Sequence, residues 1–171
     1  MIRRALLLAA IAFGAAGPAR ADDDACAAII RAVRSVDSAP TVHSKMIATD
    51  PARRRPFESD QIIIGDIAWT TPPEGGTWMK VRISATDRAS LSAGLVRYPP
   101  TDCAALPPEP LGGLPMQVYT YRQIVPGPGT VESRLWVGEQ DKLPHAYEGR
   151  AGDVKTRVTM SYTGVVAPIG D

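Results

Sequence analysis

Val154-Lys155-Thr156-Arg157-Val158-Thr159-Met160-Ser161-Tyr162 alternates without a break. In an extended chain Val154, Thr156, Val158, Met160 and Tyr162 share one side, and Lys155, Arg157, Thr159 and Ser161 share the other. A strand with one apolar and one charged face fits an antiparallel sheet that is covered on one side and wet on the other. The run is expected to extend to Val166.

Further strands precede it. Met116 to Val125 and Thr130 to Val137 are rich in β-formers, and Pro126-Gly127-Pro128-Gly129 between them reads as a hairpin loop. Leu143 to Glu148 is a shorter candidate. Tyr98 to Pro115 is proline-rich and reads as a long ordered loop. Trp78 to Ile83 puts Met79, Val81 and Ile83 on one face and Lys80 and Arg82 on the other. Gln61 to Trp69 reads as two short strands around a Gly65-Asp66 turn, with Ile62, Ile63 and Ile64 apolar on both faces. Thr41 to Ile47 is a further strand, and residues 84–97 show no readable period.

Near the N-terminus the period changes. Cys26, Ile29, Ile30 and Val33 recur at i, i+3, i+4 and i+7, and Val36 extends the stripe of an amphipathic helix. Asp24 suits its N-cap, and Pro40 ends it. One helix and about seven or eight antiparallel strands, counted by these signals, define an α+β fold: a curved antiparallel sheet, an incomplete β-barrel, wrapped around the N-terminal helix.

Residues 1–21 read differently. Arg3 and Arg4 precede an apolar run from Ala5 to Ala16, followed by Ala19-Arg20-Ala21 and three aspartates. That is the layout of a secretory signal peptide cleaved after Ala21. The run is shorter than the roughly 20 residues a bilayer span requires, and Cys26 lies outside any lipid-attachment context. The expected mature protein is a single domain, residues 22–171, in the periplasm or secreted, without a transmembrane segment. Cleavage removes three arginines and no acid, so the net charge falls from +1 to −2. A near-neutral chain offers no electrostatic case for nucleic acid. In an oxidising compartment Cys26 and Cys103 have one intramolecular pairing, a structural disulfide, and no Cys-x-x-Cys spacing supports a redox role.

Two stretches carry a family resemblance. The first is Gln61 to Asp66 with Trp69 and Gly75-Gly76-Thr77-Trp78-Met79-Lys80. The second is Tyr119-x-Tyr121, Arg134-Leu135-Trp136-Val137, Leu143-Pro144 and Met160-Ser161-Tyr162-Thr163. Across residues 60–166 this order resembles the superfamily of the periplasmic lipoprotein carriers LolA and LolB. The resemblance implies an incomplete barrel closed by helices around an apolar cavity for acyl chains. The helix stripe Ile29, Ile30 and Val33 is then expected to face Ile62, Ile64, Met79, Val81, Val158 and Met160, with space for a ligand between them. Trp69 and Trp136, like Trp78, suit either such a cavity or an ordinary core.

Catalytic signatures are missing. There is no Gly-x-Ser-x-Gly turn, phosphate loop or His-Glu-x-x-His helix. His43 and His145 have no spacing that recruits Asp66 or Glu148 to a metal, so neither metal nor cofactor is expected. Arg53-Arg54-Arg55 suits an anionic head group, or more simply a solvated loop tip. The leading expectation is a non-enzymatic binder of an apolar small molecule or lipid. A structural envelope protein with a filled core, binding a protein partner, is the alternative.

Overall fold

A computed structural model of the chain describes residues 19–72, 76–90 and 92–168. The apolar run expected to be a signal peptide lies outside the described residues. Nine strands form one antiparallel sheet: β1 (Thr41–Thr49), β2 (Phe57–Ile64), β3 (Ile67–Thr70), β4 (Met79–Arg82), β5 (Thr101–Leu111), β6 (Leu114–Val125), β7 (Gly129–Gly138), β8 (Pro144–Ala151) and β9 (Val154–Ser161). Their spatial order is β4-β3-β2-β1-β9-β8-β7-β6-β5. All neighbours follow one another in sequence except β1 and β9, which join the two meanders. The sheet is open, with β4 and β5 as its edges.

The helix α1 (Ala19–Ser35) begins upstream of Asp24, so that residue is not its N-cap here, and the expected cleavage site falls in its first turn. A 3-10 turn, Val36–Ser38, and Pro40 lead the chain into β1. The buried face of α1 centres on Ile29 of the predicted stripe. Ile29 is fully buried, Ala25 and Ala32 flank it, and Cys26 and Val33 pack beside them against Leu95, Tyr121, Leu135 and Val137. The helix therefore lies over the β5–β6 end of the sheet. The disulfide Cys26–Cys103 ties it to β5, with 5.2 Å between the Cα atoms.

Two further sequence expectations need correction. Residues 101–111 form a strand, not a loop, despite Pro107, Pro108 and Pro110. Proline is tolerated because β5 is an edge, where outward positions need no ladder donor, and its pairing with β6 shifts register between Thr101 and Ala104 and between Leu106 and Glu109. The last strand ends at Ser161, well before Val166. There the Tyr162 hydroxyl donates to the Pro144 carbonyl (2.6 Å), and the chain bends through Gly164 at positive φ. The stretch without a readable period holds two one-turn helices, α2 (Ala85–Ala89) and α3 (Ala93–Arg97). Ser84 and Asp87 form a reciprocal capping box at the start of α2, the local signal that marks it in the sequence.

Arg88 fixes this helical segment to the rest of the fold. Its guanidinium donates to the carbonyls of Asp37, Ala39 and Gly65, and so joins α2 to the 3-10 turn and to the β2–β3 turn. Ser92 donates to the Asp37 carboxylate at 2.5 Å. Leu95 of α3 then reaches the α1 core.

Two outcomes follow from these constraints. Replacing Cys26 and Cys103 together by serine should lower unfolding free energy by up to about 4 kcal/mol, as the chain-entropy estimate for a loop of this size gives, measured by urea denaturation. Arg88→Ala should cost about 2 kcal/mol, the worth of charge-assisted hydrogen bonds, and should raise amide exchange in α2 and α3 before it does so in β6 and β7.

Candidate functional site

Cross-strand register decides which side chains can meet beneath α1. Val158 pairs with Met46 and Tyr147, Met46 with Ser59, and Met160 with Ser44. Ser44 pairs with Gln61 and Val42 with Ile63. The helix-facing side of β2 therefore carries Ile63, not Ile62 or Ile64. Ile63 is 1% exposed there, in a small cluster with Val42 and Ala68. Ile62 and Trp69 pair with each other on the outer face, both buried, and Ile64 shares that face. A triple isoleucine run has no alternation to show which face is inward, and the expected parity was off by one residue.

Trp136 also lies on the outer face, paired with Val118 and Ala146. It sits in a second cluster with Met116, its indole N–H donating to the Glu109 carboxylate, and the Arg134 guanidinium stacks 4.7 Å from its ring centre. Met79 and Val81 do share a face, but on the edge strand β4, where they are 56% and 55% exposed. Ile29 is sealed in the core and Ile30 is half-buried on α1. Of the expected cavity residues, Val33, Val158 and Met160 come together.

They line a cleft of about 250 Å³ with Val36, Leu95, Tyr121, Leu135, Pro144 and Tyr147. Two more clefts adjoin it. One of about 340 Å³ shares Val33, Leu95 and Tyr147 and extends to Ser92, Tyr98, Gln123 and Val125. The other, of about 530 Å³, shares Tyr147 and runs past Gly149, Val154 and Thr156 to Pro128. Among the described residues lining the three, none is charged. A hollow of about 580 Å³ on the outer face is lined instead by Glu132, Arg134, Glu148, Arg150, Lys155 and Arg157 among others. Its charges are partly paired with one another, Arg157 with Glu148 at 3.0 Å, as on an ordinary solvated surface.

Sequence reasoning missed Tyr147, Tyr121, Leu135 and Leu95, which build most of the cleft wall. The visible trace of Tyr147 is Gly149, two residues along the same strand face. A Cβ at Gly149 would overlap the Tyr147 hydroxyl, so the glycine lets the ring lie flat along β8. The Tyr147 and Ser133 hydroxyls are 3.3 Å apart. Burial pushes the Tyr121 phenol well above its ordinary range. The neighbouring Tyr147 adds to this, and a hydrogen bond with Ser133 pulls the other way. Burial, and then the charge of Asp141, raises the Tyr162 phenol likewise.

The two histidines are apart and separately engaged, His43 with Asp60 at 3.0 Å and His145 with Asp141 at 2.8 Å. Among the described residues no group of three His, Cys, Asp or Glu is placed to hold a metal. The cleft hydroxyls have no charged residue beside them in the lining to act as a base.

The fold is similar to those of several solved structures. Lipoprotein LppX from Mycobacterium tuberculosis matches at 14% identity over 86% of this chain and 100% of that one, with a TM-score of 0.58. LprF from Mycobacterium bovis matches at 12% identity over 87% and 97%, with a TM-score of 0.53. A LolA superfamily protein from Nitrosomonas europaea matches at 10% identity over 77% and 90%, with a TM-score of 0.31. The LolA-like resemblance read from the sequence is borne out at the level of fold. No family model and no curated protein matches the chain. No described helix is long and apolar enough to cross a membrane.

The buried phenols give the fold an alkaline limit. Folded Tyr121 and Tyr162 keep their protons at pH values where the unfolded chain, with phenols near their ordinary value of 10.0, has lost them. Stability is therefore fully present below that value and falls as pH rises through and above it, by about 1.4 kcal/mol per pH unit for a fully buried tyrosine. Urea midpoints at pH 9 and pH 11 should differ accordingly, and Tyr121→Phe should reduce the difference. An undiminished difference in Tyr121→Phe would contradict the assignment.

Proposed function

We propose that the protein is a non-enzymatic binder of an apolar ligand, a lipid or acyl chain, held between α1, α3 and the inner face of β6 to β9. The observation that carries this reading is the set of adjoining clefts without a charged lining residue. Their larger members fall within the roughly 300–1,000 Å³ common for ligand sites, which weighs against the filled-core, partner-binding alternative. The fold shared with LppX and LprF supports the same reading. Each methylene moved from water into such a cleft contributes about 0.8 kcal/mol, so an acyl chain needs no charged anchor to bind.

The site of action in this reading is the periplasm. The chain is cleaved after Ala21, works as one domain from Asp22 onward, and serves as a carrier, with an envelope protein as the natural recipient. Intact-mass measurement on exported protein should give the chain starting at Asp22.

Binding is tested with an uncharged pyrene-alkyl probe on delipidated protein, alongside native mass spectrometry of protein purified from the periplasm. Wild type should bind the probe and should copurify with lipid. Met160→Arg places a charge in the cleft wall and should weaken probe binding more than tenfold with an unchanged circular dichroism spectrum. Equal binding by wild type and Met160→Arg would refute the site.

A further inference from the structure

We propose that the Tyr147 and Ser133 hydroxyls form the polar recognition point of the cleft, and that the ligand presents to them an uncharged hydrogen-bond acceptor of the ester-carbonyl kind on a long apolar chain. This rests on the carrier reading above and specifies its ligand class.

Position singles out Tyr147. It lines each of the three clefts, so it stands at their junction, and the glycine at position 149 keeps its ring there. Its hydroxyl lies 3.3 Å from that of Ser133, which also neighbours Tyr121. Proton bookkeeping then fixes the chemistry. Two hydroxyls in contact carry two protons, and the contact between them uses one. One O–H is left to point outward. Ser133 is 6% exposed, whereas Tyr147 is half-buried and borders open space, so the spare donor a ligand reaches is the Tyr147 hydroxyl.

The partner for that donor is an acceptor without charge. No Lys, Arg or His lines the clefts among the described residues, and an unpaired carboxylate or phosphate in an apolar site is strongly disfavoured. An alkane, in turn, leaves the hydroxyl unsatisfied. An ester or ketone carbonyl flanked by hydrocarbon meets both conditions, with the chain extending along the clefts on either side of Tyr147.

The experiment compares tritiated methyl palmitate, hexadecane and palmitate at pH 8 on the delipidated protein. Methyl palmitate should bind most tightly. Tyr147→Phe should weaken the ester about five- to tenfold, the worth of one hydrogen bond, and leave hexadecane unchanged. An isotope-labelled ester carbonyl should show a lowered infrared stretch when bound to wild type, a readout that needs no variant. An unshifted carbonyl band, an unchanged ester-to-hexadecane ratio in Tyr147→Phe, or palmitate binding as tight as the ester would overturn this inference and leave the carrier reading standing. Failure of wild type to bind any of the three would overturn both.

Discussion

The pairing of β1 with β9 is the constraint on which the molecule turns. β1 to β4 form one meander and β5 to β9 another, and each could fold back on itself by hairpins alone. The seam from His43↔Ser161 to Thr49↔Lys155 makes them a single surface. Because side chains alternate along a strand, a slip of one residue at this seam would turn Met46 and Ala48 outward while Val158 and Thr156 stayed inward. Charge holds the register as firmly as the apolar positions do, since the same slip would turn Lys45 toward the helix.

The rest of the inner face is built around α1. The helix is pinned at β5 by the disulfide and seated on Tyr121, Leu135 and Val137. The α2–α3 segment is tied beside it through Arg88 and Ser92. Both attachments lie at the margins of the helix-facing surface. Between them, the side chains over β8 and β9 do not fill the space, and the clefts remain. Gly149 and Thr156 pair with one another on this floor, a position where two large residues would close the space.

How much of this the sequence made legible depends on the element. Residues 154–161 show their faces plainly because charge and apolar character alternate there. The helix stripe is equally plain, and so is the cysteine pair, whose partnering has no alternative. Ile62-Ile63-Ile64 hides its register, since both faces of β2 are apolar, and this is why Ile62 and Ile64, expected in the cavity wall, lie on the outer face. β5 was hidden by its prolines, which signal a loop unless the strand is known to be an edge. Tyr147 was hard to recognise as a site residue because its role depends on residues of other elements, Ser133 on β7 and Val33 on α1, and only Gly149 lies close to it in sequence.

The two edges of the sheet are unlike, and this limits how copies of the chain can associate. β5 carries Pro107, Pro108 and Pro110, which lack the N–H groups an added strand would need. β4 has no proline and exposes Met79 and Val81. Head-to-tail stacking, in which the β4 edge of one molecule meets the β5 edge of the next, therefore finds donors missing along the second half of β5. Strand-to-strand self-association is left with β4 against β4, a two-fold contact that uses up both of its edges and stops at a pair. An open sheet of nine strands is in this way kept from growing into a fibre by the composition of one edge alone.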